Sequence, residues 1–202
     1  QSPSKGPLNM DADVKVVAAA YQAAGVTVMS VLTDRKFFGG SFRDLSDARE
    51  VCPELPILRK DFMIDPYQVH EARAYGADMI LLIAAILEKP QLADLAEEAR
   101  ALGLHVLLEV HDAYELEKYD PSIRFVGVNN RDLKSFRVDT GRSLNLIDHL
   151  PSGVVPVSES GISKPEEIAK LSRAGYQLFL MGERFMKQAD PGEACRSFMK
   201  NL

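Results

Sequence analysis

The sequence contains no tryptophan, and its two cysteines, Cys52 and Cys195, lie far apart in the chain. Two distant cysteines indicate neither a disulfide framework nor a zinc cluster, and such sparse use of cysteine is typical of a reducing environment. The four histidines show no metal-ligand spacing and no order suited to a catalytic triad. We therefore expect a cytoplasmic location, no metal site, and structural or surface roles for every histidine: His70, His105, His111 and His149.

Long hydrophobic runs are also missing from the sequence. The longest run, at residues 79–86, is much shorter than the roughly 20 residues that span a membrane. The opening segment QSPSKGPL lacks the apolar core of a secretory signal. Acidic residues outnumber basic ones by 29 to 24, and the resulting net charge of -5 repels a polyanion. Neither a membrane nor a nucleic acid is an expected partner.

Glycine signatures for nucleotides and nucleophiles are absent as well: no G-x-G-x-x-G turn, Walker loop or G-x-S-x-G elbow occurs. Their absence argues against the alternative fold, an open doubly wound sheet that binds a dinucleotide. The sequence does contain short, nearly continuous apolar runs, which are typical of parallel strands buried on both faces. We predict strands at residues 26–32, 56–60, 78–84, 105–110, 125–128, 154–158 and 178–181.

Helical periodicity fills the segments between these strands, and several segments begin with proline or acidic residues and end at glycine. We predict helices at residues 11–24, 45–51, 66–75, 89–102, 113–119, 143–149, 165–174 and 191–199. About eight helices with one strand fewer fit an α/β fold, the (β/α)8 TIM barrel, with its first strand absent from this chain. No linker divides the chain, so residues 1–202 are predicted to form a single domain.

Charged residues end several of the predicted strands, and the active site of such a barrel lies at the carboxyl ends of its strands. Lys60 and Glu109 would project toward a common centre, where an ammonium and a carboxylate can serve as general acid and base. The alternative is a structural ion pair, or a register that turns one of them outward. Asn129 and Arg131 are candidates to orient an anionic substrate, and a turn capped by asparagine is the alternative.

Phosphate binding is predicted where the last two strands end. Ser160 and Gly161 follow one of these strands and Gly182 and Glu183 the other, and backbone amides in such loops commonly hold phosphate. The Glu183 carboxylate must then point away from the anion. Glycines that simply allow tight turns are the alternative.

Other loops at the same end of the barrel offer positive charge and aromatic surface. Lys5, Lys60 and Arg131 are the candidate cations for an anionic ligand, with Lys36 a weaker one. The segment FFGGS at residues 37–41 suits a mobile loop over an aromatic substrate, and a hydrophobic plug is the alternative.

Together these segments resemble the indole-3-glycerol-phosphate synthase family, the barrel enzymes that form the indole ring in tryptophan biosynthesis. The resemblance spans nearly the whole chain and rests on the order and spacing of its motifs. They are SPSKG at 2–6, SVLTD at 30–34, FFGGS at 37–41, LRKDF at 58–62, GAD at 76–78, LEVH at 108–111, GVNNRDL at 127–133 and SESGI at 158–162.

The resemblance implies a carbon-carbon lyase that needs no metal or organic cofactor. Its small phosphorylated substrate, 1-(2-carboxyphenylamino)-1-deoxyribulose 5-phosphate, would lose CO2 and water to give indole-3-glycerol phosphate. Lys60 would be the general acid, Glu109 a proton acceptor or dehydration catalyst, and Asn129 a group that orients the substrate. The implied substrate contacts are Ser2, Lys5, Phe38, Phe62, Arg131, Glu159 and Ser160, with the phosphate at Gly161, Gly182 and Glu183.

The chain departs from the family pattern at its start. The family's first strand carries a Glu-x-Lys pair just before the Ser-Pro-Ser motif, and this sequence begins at that motif. We therefore expect an open seam in the barrel, and the resemblance leaves room for a fused or associated tryptophan-pathway domain. Two other functions stay open: a phosphate-binding barrel fragment without turnover, and another phosphate-binding barrel such as phosphoribosylanthranilate isomerase.

Overall fold

Seven parallel strands form one sheet in the computed structural model, which describes residues 6, 9, 12–132 and 135–202. Each strand pairs with the next strand along the chain, so the sheet order is β1 to β7. The strands are β1 Met29–Leu32, β2 Ile57–Lys60, β3 Met79–Ile83, β4 His105–Val110, β5 Phe125–Asn129, β6 Val155–Glu159 and β7 Leu178–Leu180. All seven predicted strands are confirmed, with small differences at their ends.

Helices connect the strands and cover the outside of the sheet. They are α1 Val14–Ala23, α2 Phe42–Val51, α3 Pro66–Ala74, α4 Lys89–Ala101, α5 Gly141–Leu146, α6 Pro165–Ala174, α7 Glu183–Met186 and α8 Pro191–Met199. Side-chain caps begin four of them, at Asp13, Ser41, Asp65 and Asp190, where an oxygen accepts a hydrogen bond from a free backbone N–H of the first turn. Short 3-10 turns occur at Ala84–Ile86, Glu115–Lys118 and Ile147–His149.

Two helix predictions need correction. The segment 113–119 forms only the 3-10 turn Glu115–Lys118, since Pro121 follows closely and disfavours helical backbone at Asp120. The segment 143–149 is divided into α5 and a 3-10 turn. The short helix α7 was not predicted, because a single turn carries too little periodicity to be recognised.

The side chains of the sheet point alternately to two apolar layers. Leu58, Leu81, Leu107 and Val157 pack with one another on the inner face. Residues of the opposite face, such as Leu82, pack with the helices in the larger core. Because successive residues of a strand face opposite sides, the register decides which polar residues at the strand ends enter the interior.

The sheet is curled but not closed. No backbone pairing joins β7 to β1 among the described residues, whereas α1 packs against both α2 and α8 on the outside. The helical layer is therefore continuous across a seam in the strand layer, as expected for an eight-stranded barrel that lacks one strand. Within the same described residues, no helix combines the length and the apolar character that crossing a membrane requires.

Candidate active site

Three charged side chains meet at the carboxyl ends of β2, β4 and β6. Lys60 Nζ lies 3.3 Å from Glu109 Oε2 and 3.4 Å from Glu159 Oε2. The three residues come from alternate strands and share the inner face with Leu58 and Leu107, which lie two positions earlier on β2 and β4. The structure therefore brings Lys60 and Glu109 together on the inner face, and it adds Glu159 to them.

Burial makes the protonation of this cluster unusual. The side chains of Glu109 and Glu159 are 3% and 1% exposed, against 22% for Lys60. Burial lowers the pKa of Lys60, but the two carboxylates outweigh it and raise the pKa above its ordinary value. Although burial opposes it, the charge of Lys60 holds the pKa of Glu109 below its ordinary value.

Glu159 behaves differently from Glu109. Burial and the neighbouring Glu109 charge raise the pKa of Glu159 to about 7, against the opposing effect of Lys60. Its Oε1 is buried, and no donor in the described part of the chain reaches it. The cluster can therefore hold one ammonium, one carboxylate and one carboxylic acid near neutral pH, which is an arrangement suited to proton transfer.

Gly127 makes room for Glu159. These residues lie on the neighbouring strands β5 and β6, where Gly127 pairs with Val157 and Asn129 pairs with Glu159. A Cβ at Gly127 would overlap with Glu159 Oε1. The lack of a side chain at this position is therefore what lets the Glu159 carboxyl lie across the interior toward Lys60.

Two adjacent asparagines at the end of β5 have different positions. Asn129 is buried on the inner face, where its side chain helps to lower the pKa of Glu109 and its Oδ1 accepts the backbone N–H of Arg131 at 3.0 Å. Asn130 points to the other face and donates to Ser158 Oγ, and to the backbone oxygens of Glu159 and Ser160. Asn129 thus contacts the charge cluster, whereas Asn130 ties the end of β5 to the end of β6.

Arg131 spans two of the loops predicted to bind substrate. Its Nη2 donates to Glu183 Oε2 at 2.8 Å, which joins the loop after β5 to the start of α7. The Glu183 carboxylate is therefore engaged by a cation. Positive charge and a carboxylate lie side by side here, about one-quarter exposed.

The glycines predicted at the phosphate differ from each other. Space is open around the position of a Cβ at Gly182. Gly161 has a left-handed φ of +78°, and a Cβ there would overlap with the side chain of Val138. Ser160 also has a left-handed φ, of +67°, which is uncommon for a residue with a side chain. The turn after β6 is thus locally constrained next to Glu159.

Three phenylalanines form an aromatic group beside the cluster. The rings of Phe38 and Phe62 stack with centroids 5.7 Å apart, and Phe37 packs edge-on against Phe62 at the same distance. Phe37 remains 48% exposed. A Cβ at Gly40 would overlap with the backbone of Leu32, so this loop lies directly on the end of β1.

Arg59 is a buried residue that the sequence analysis missed. It lies on the outer face of β2 and is 2% exposed. Its guanidinium donates to Thr33 Oγ1 at 3.0 Å, to Asp61 Oδ2 at 2.9 Å and to the backbone oxygen of Gln68 at 2.6 Å. The same group lies over the ring of Phe42, 4.5 Å from its centroid. Arg59 thus anchors the strand end that carries Lys60.

His111 is a second residue whose position was not anticipated. Its side chain is 9% exposed and lies between Glu109 and Glu115. The expectation of a structural or surface histidine gave no indication of this contact with the charge cluster. The LEVH motif, in which His111 follows the end of β4 two positions after Glu109, was the available signal.

Two predicted substrate contacts, Ser2 and Lys5, lie outside the described residues. Among the residues that are described, no three His, Cys, Asp or Glu side chains group as metal ligands.

Comparison with known proteins bears on the whole chain. The family model described as indole-3-glycerol phosphate synthase matches residues 1–198. A protein of that name from Bacteroides thetaiotaomicron is 48% identical over 202 residues, which are 100% of this chain and 77% of the relative. One from Verminephrobacter eiseniae is 51% identical over 199 residues, 96% of this chain and 74% of the relative.

Solved structures support the fold alone, because their sequences are distant. Thiamine phosphate pyrophosphorylase from Pyrococcus furiosus matches with a TM-score of 0.68 at 15% identity, covering 95% of this chain and 89% of that one. KGPDC from Streptococcus mutans matches with a TM-score of 0.71 at 12% identity, covering 93% and 90%. Because the family model and the close relatives cover nearly all of it, the chain belongs to the indole-3-glycerol phosphate synthase family, the carboxy-lyases of tryptophan biosynthesis.

Proposed function

We propose that this chain converts 1-(2-carboxyphenylamino)-1-deoxyribulose 5-phosphate to indole-3-glycerol phosphate by acid-base catalysis. Membership of the family supports the reaction class. The observation that carries the proposed mechanism is the placement of Lys60 within 3.4 Å of two buried carboxyl groups at the mouth of the barrel sheet. No such grouping is needed for a site that only binds phosphate.

The reaction needs a proton donor first and a proton acceptor later. As a ring carbon of the substrate attacks the ketone carbon, Lys60 gives a proton to the ketone oxygen, which becomes a hydroxyl group. CO2 then leaves, and the electrons of its bond restore the aromatic ring. Lys60, recharged by a proton from solvent, then protonates the hydroxyl, which leaves as water. Glu109 takes the proton that the neighbouring carbon releases when the new double bond of indole forms.

The neighbouring side chains hold the substrate for these steps. Asn129 orients the reacting groups, since its Oδ1 is held by the Arg131 N–H and its side chain acts on the charge of Glu109. Phe38 and Phe62 pack against the aromatic part of the substrate. The Arg131 cation lies near the loops that would receive the phosphate, and the space that a Cβ at Gly182 would enter is open.

Other predicted contacts complete the proposed site. Ser160 and Gly161 form the turn next to Glu159, and the backbone N–H of Gly161 is the group of this turn that we propose for the phosphate. Ser2 and Lys5 are proposed near the substrate carboxylate and phosphate on the basis of the family resemblance. The small phosphorylated substrate is the proposed ligand, and no organic cofactor is required by the steps above.

Lys60→Ala tests the proposal directly. We expect turnover to fall by about a hundredfold or more, because the variant loses the acid that the first step needs. Binding of a non-reacting phosphorylated substrate analogue should change much less. The measurement is the fluorescence of indole-3-glycerol phosphate as it forms, alongside calorimetric titration with the analogue, and Lys200→Ala on the exposed end of α8 is the matched control.

Three outcomes would contradict this assignment. Equal losses of binding and turnover would make Lys60 a binding residue. Analogue binding by the wild-type chain without any turnover would instead support the phosphate-binding barrel fragment. Turnover in a phosphoribosylanthranilate isomerase assay, unaffected by Lys60→Ala, would favour that other barrel enzyme.

A further inference from the structure

His111 links the buried Glu109 to a second carboxylate. His111 Nε2 lies 3.5 Å from Glu109 Oε1, and His111 Nδ1 lies 3.1 Å from Glu115 Oε2. The backbone N–H of His111 also donates to Glu115 Oε2, at 2.7 Å. Glu115 therefore holds both the backbone and the ring of His111, and the ring is directed at the charge cluster.

The Nε2 atom of His111 is buried and has no hydrogen-bond partner among the described residues. A buried ring nitrogen without a partner is costly to a protein unless another interaction compensates for it. When the neutral imidazole carries its proton on Nδ1 and donates to Glu115, the Nε2 lone pair faces Glu109. In that state His111 can accept a proton from a protonated Glu109.

Charged groups on three neighbouring elements act on the pKa of His111. Glu109 faces it from β4, Glu115 faces it from the 3-10 turn after β4, and Arg142 contributes an opposing positive charge from α5. Burial and Arg142 lower the pKa of His111, but the bond to Glu115 and the Glu109 charge outweigh them and raise it above its ordinary value.

We propose that the Glu115–His111 pair removes the proton that Glu109 receives during turnover and returns Glu109 to its carboxylate form. The inference rests on the proposed function, which makes Glu109 the proton acceptor. The proton leaves the Glu109 carboxyl and joins Nε2, so that neutral imidazole becomes imidazolium while its Nδ1 proton stays bonded to Glu115. After product release, Nε2 gives this proton to water and the pair is reset.

His111 is thus a positioning residue that acts on the reaction through Glu109. A purely structural role would explain the bonds to Glu115 but not the direction of the unpaired Nε2. The two roles differ in what they predict for pH dependence, because only the proton-accepting role requires a neutral imidazole in the active enzyme.

His111→Asn and Glu115→Gln separate the roles. In His111→Asn the side-chain amide can still donate to Glu115, but no base faces Glu109. We expect kcat to fall by about tenfold or more, with KM within about twofold of wild type. In Glu115→Gln we expect the acidic limb of the kcat profile to move to lower pH by roughly one unit, because the imidazolium loses its paired charge.

Two further measurements keep the test decisive. Added imidazole should restore part of the kcat of His111→Ala. It should not affect the kcat of the control His149→Asn, which replaces an exposed histidine in the 3-10 turn after α5. NMR titration of the His111 ring in the wild-type protein should give a pKa that falls in both Glu109→Gln and Glu115→Gln. This titration requires folded protein but no turnover.

The inference is overturned if the His111 variants keep the wild-type kcat and pH profile. It is also overturned if their kcat falls without any response to imidazole and Glu115→Gln leaves the pH profile unchanged. The variant Glu109→Gln distinguishes failure of this inference from failure of the proposed function. An active Glu109→Gln would refute the acid-base mechanism itself, whereas an inactive one beside fully active His111 variants would refute only the proton transfer.

Discussion

Glu159 is the residue whose protonation should affect stability most clearly. Its pKa is about 7 in the folded protein against an ordinary value of 4.5, so the folded state binds more protons than the unfolded state between these pH values. The free energy of unfolding contributed by this residue therefore falls as pH rises from 4.5 to 7. Above that window the folded protein carries the full cost of ionising a buried carboxyl group.

Glu159→Gln should remove this pH dependence. We compare the unfolding free energy of the variant with that of wild type at each pH. This difference should favour the variant more at pH 8 than at pH 5, by up to about 3 kcal/mol, since each pKa unit corresponds to roughly 1.4 kcal/mol. Thermal unfolding followed by circular dichroism at the two pH values measures the difference. A constant difference in Tm between variant and wild type would refute the raised pKa.

The neighbouring asparagines provide a matched pair of substitutions. Asn129→Ala should lower turnover by about tenfold or more with little loss of stability, because its amide contacts Glu109 on the inner face. Asn130→Ala should cost about 2–4 kcal/mol of stability, since it leaves Ser143, Ser158 and two backbone oxygens without their partner. Urea unfolding and the fluorescence assay together separate the effects.

The reverse pattern would contradict the assignment of faces. If Asn129→Ala were the unstable variant and Asn130→Ala the inactive one, the register of β5 at its end would differ by one residue. The same two assays would show this directly.

At the level of elements, the strands were predictable because each is an almost continuous apolar run, as β3 Met79–Ile83 illustrates. Helix α6 was predicted with its observed bounds, Pro165–Ala174, because proline and acidic residues mark its first turn and glycine follows its last. The segment 113–119 begins as a helix would, since Asp112 accepts the Glu115 N–H, but Pro121 follows closely and the segment ends after one 3-10 turn, Glu115–Lys118.

The candidate site was predictable only in part. Lys60 and Glu109 could be identified because charged residues at the ends of apolar strands are conspicuous. Which groups each of them contacts depends on distances between strands that lie far apart in the chain. The contact of Glu159 with Lys60 and the need for Gly127 beside it follow from packing across the interior, which no local pattern contains.

At the level of the whole molecule, the seam between β7 and β1 leads to a prediction about stability. Each of these strands pairs on one side only within the described residues, and unpaired strand edges bind further strands readily. A parallel strand added there, either encoded ahead of Gln1 or supplied as a peptide, should raise Tm by about 5–10 °C, which corresponds to a few kcal/mol for a chain of this size. It should also raise turnover.

Scanning calorimetry and the fluorescence assay check this expectation, with a peptide of the same composition in scrambled order as the control. An unchanged Tm and an unchanged rate would show that the seam does not accept a strand. Stabilisation by the scrambled peptide as well would point to nonspecific binding.

The sequential order of the strands also bears on how the protein folds. Every strand pairs with the next strand in the chain, so the sheet can grow by adding one strand at a time as the chain leaves the ribosome. Lys60 and Glu109 are separated by 49 residues, and Lys60 and Glu159 by 99. The ion pair of Lys60 with Glu159 can therefore form only after β6 has joined, and the recovery of activity during refolding should lag behind the recovery of secondary structure.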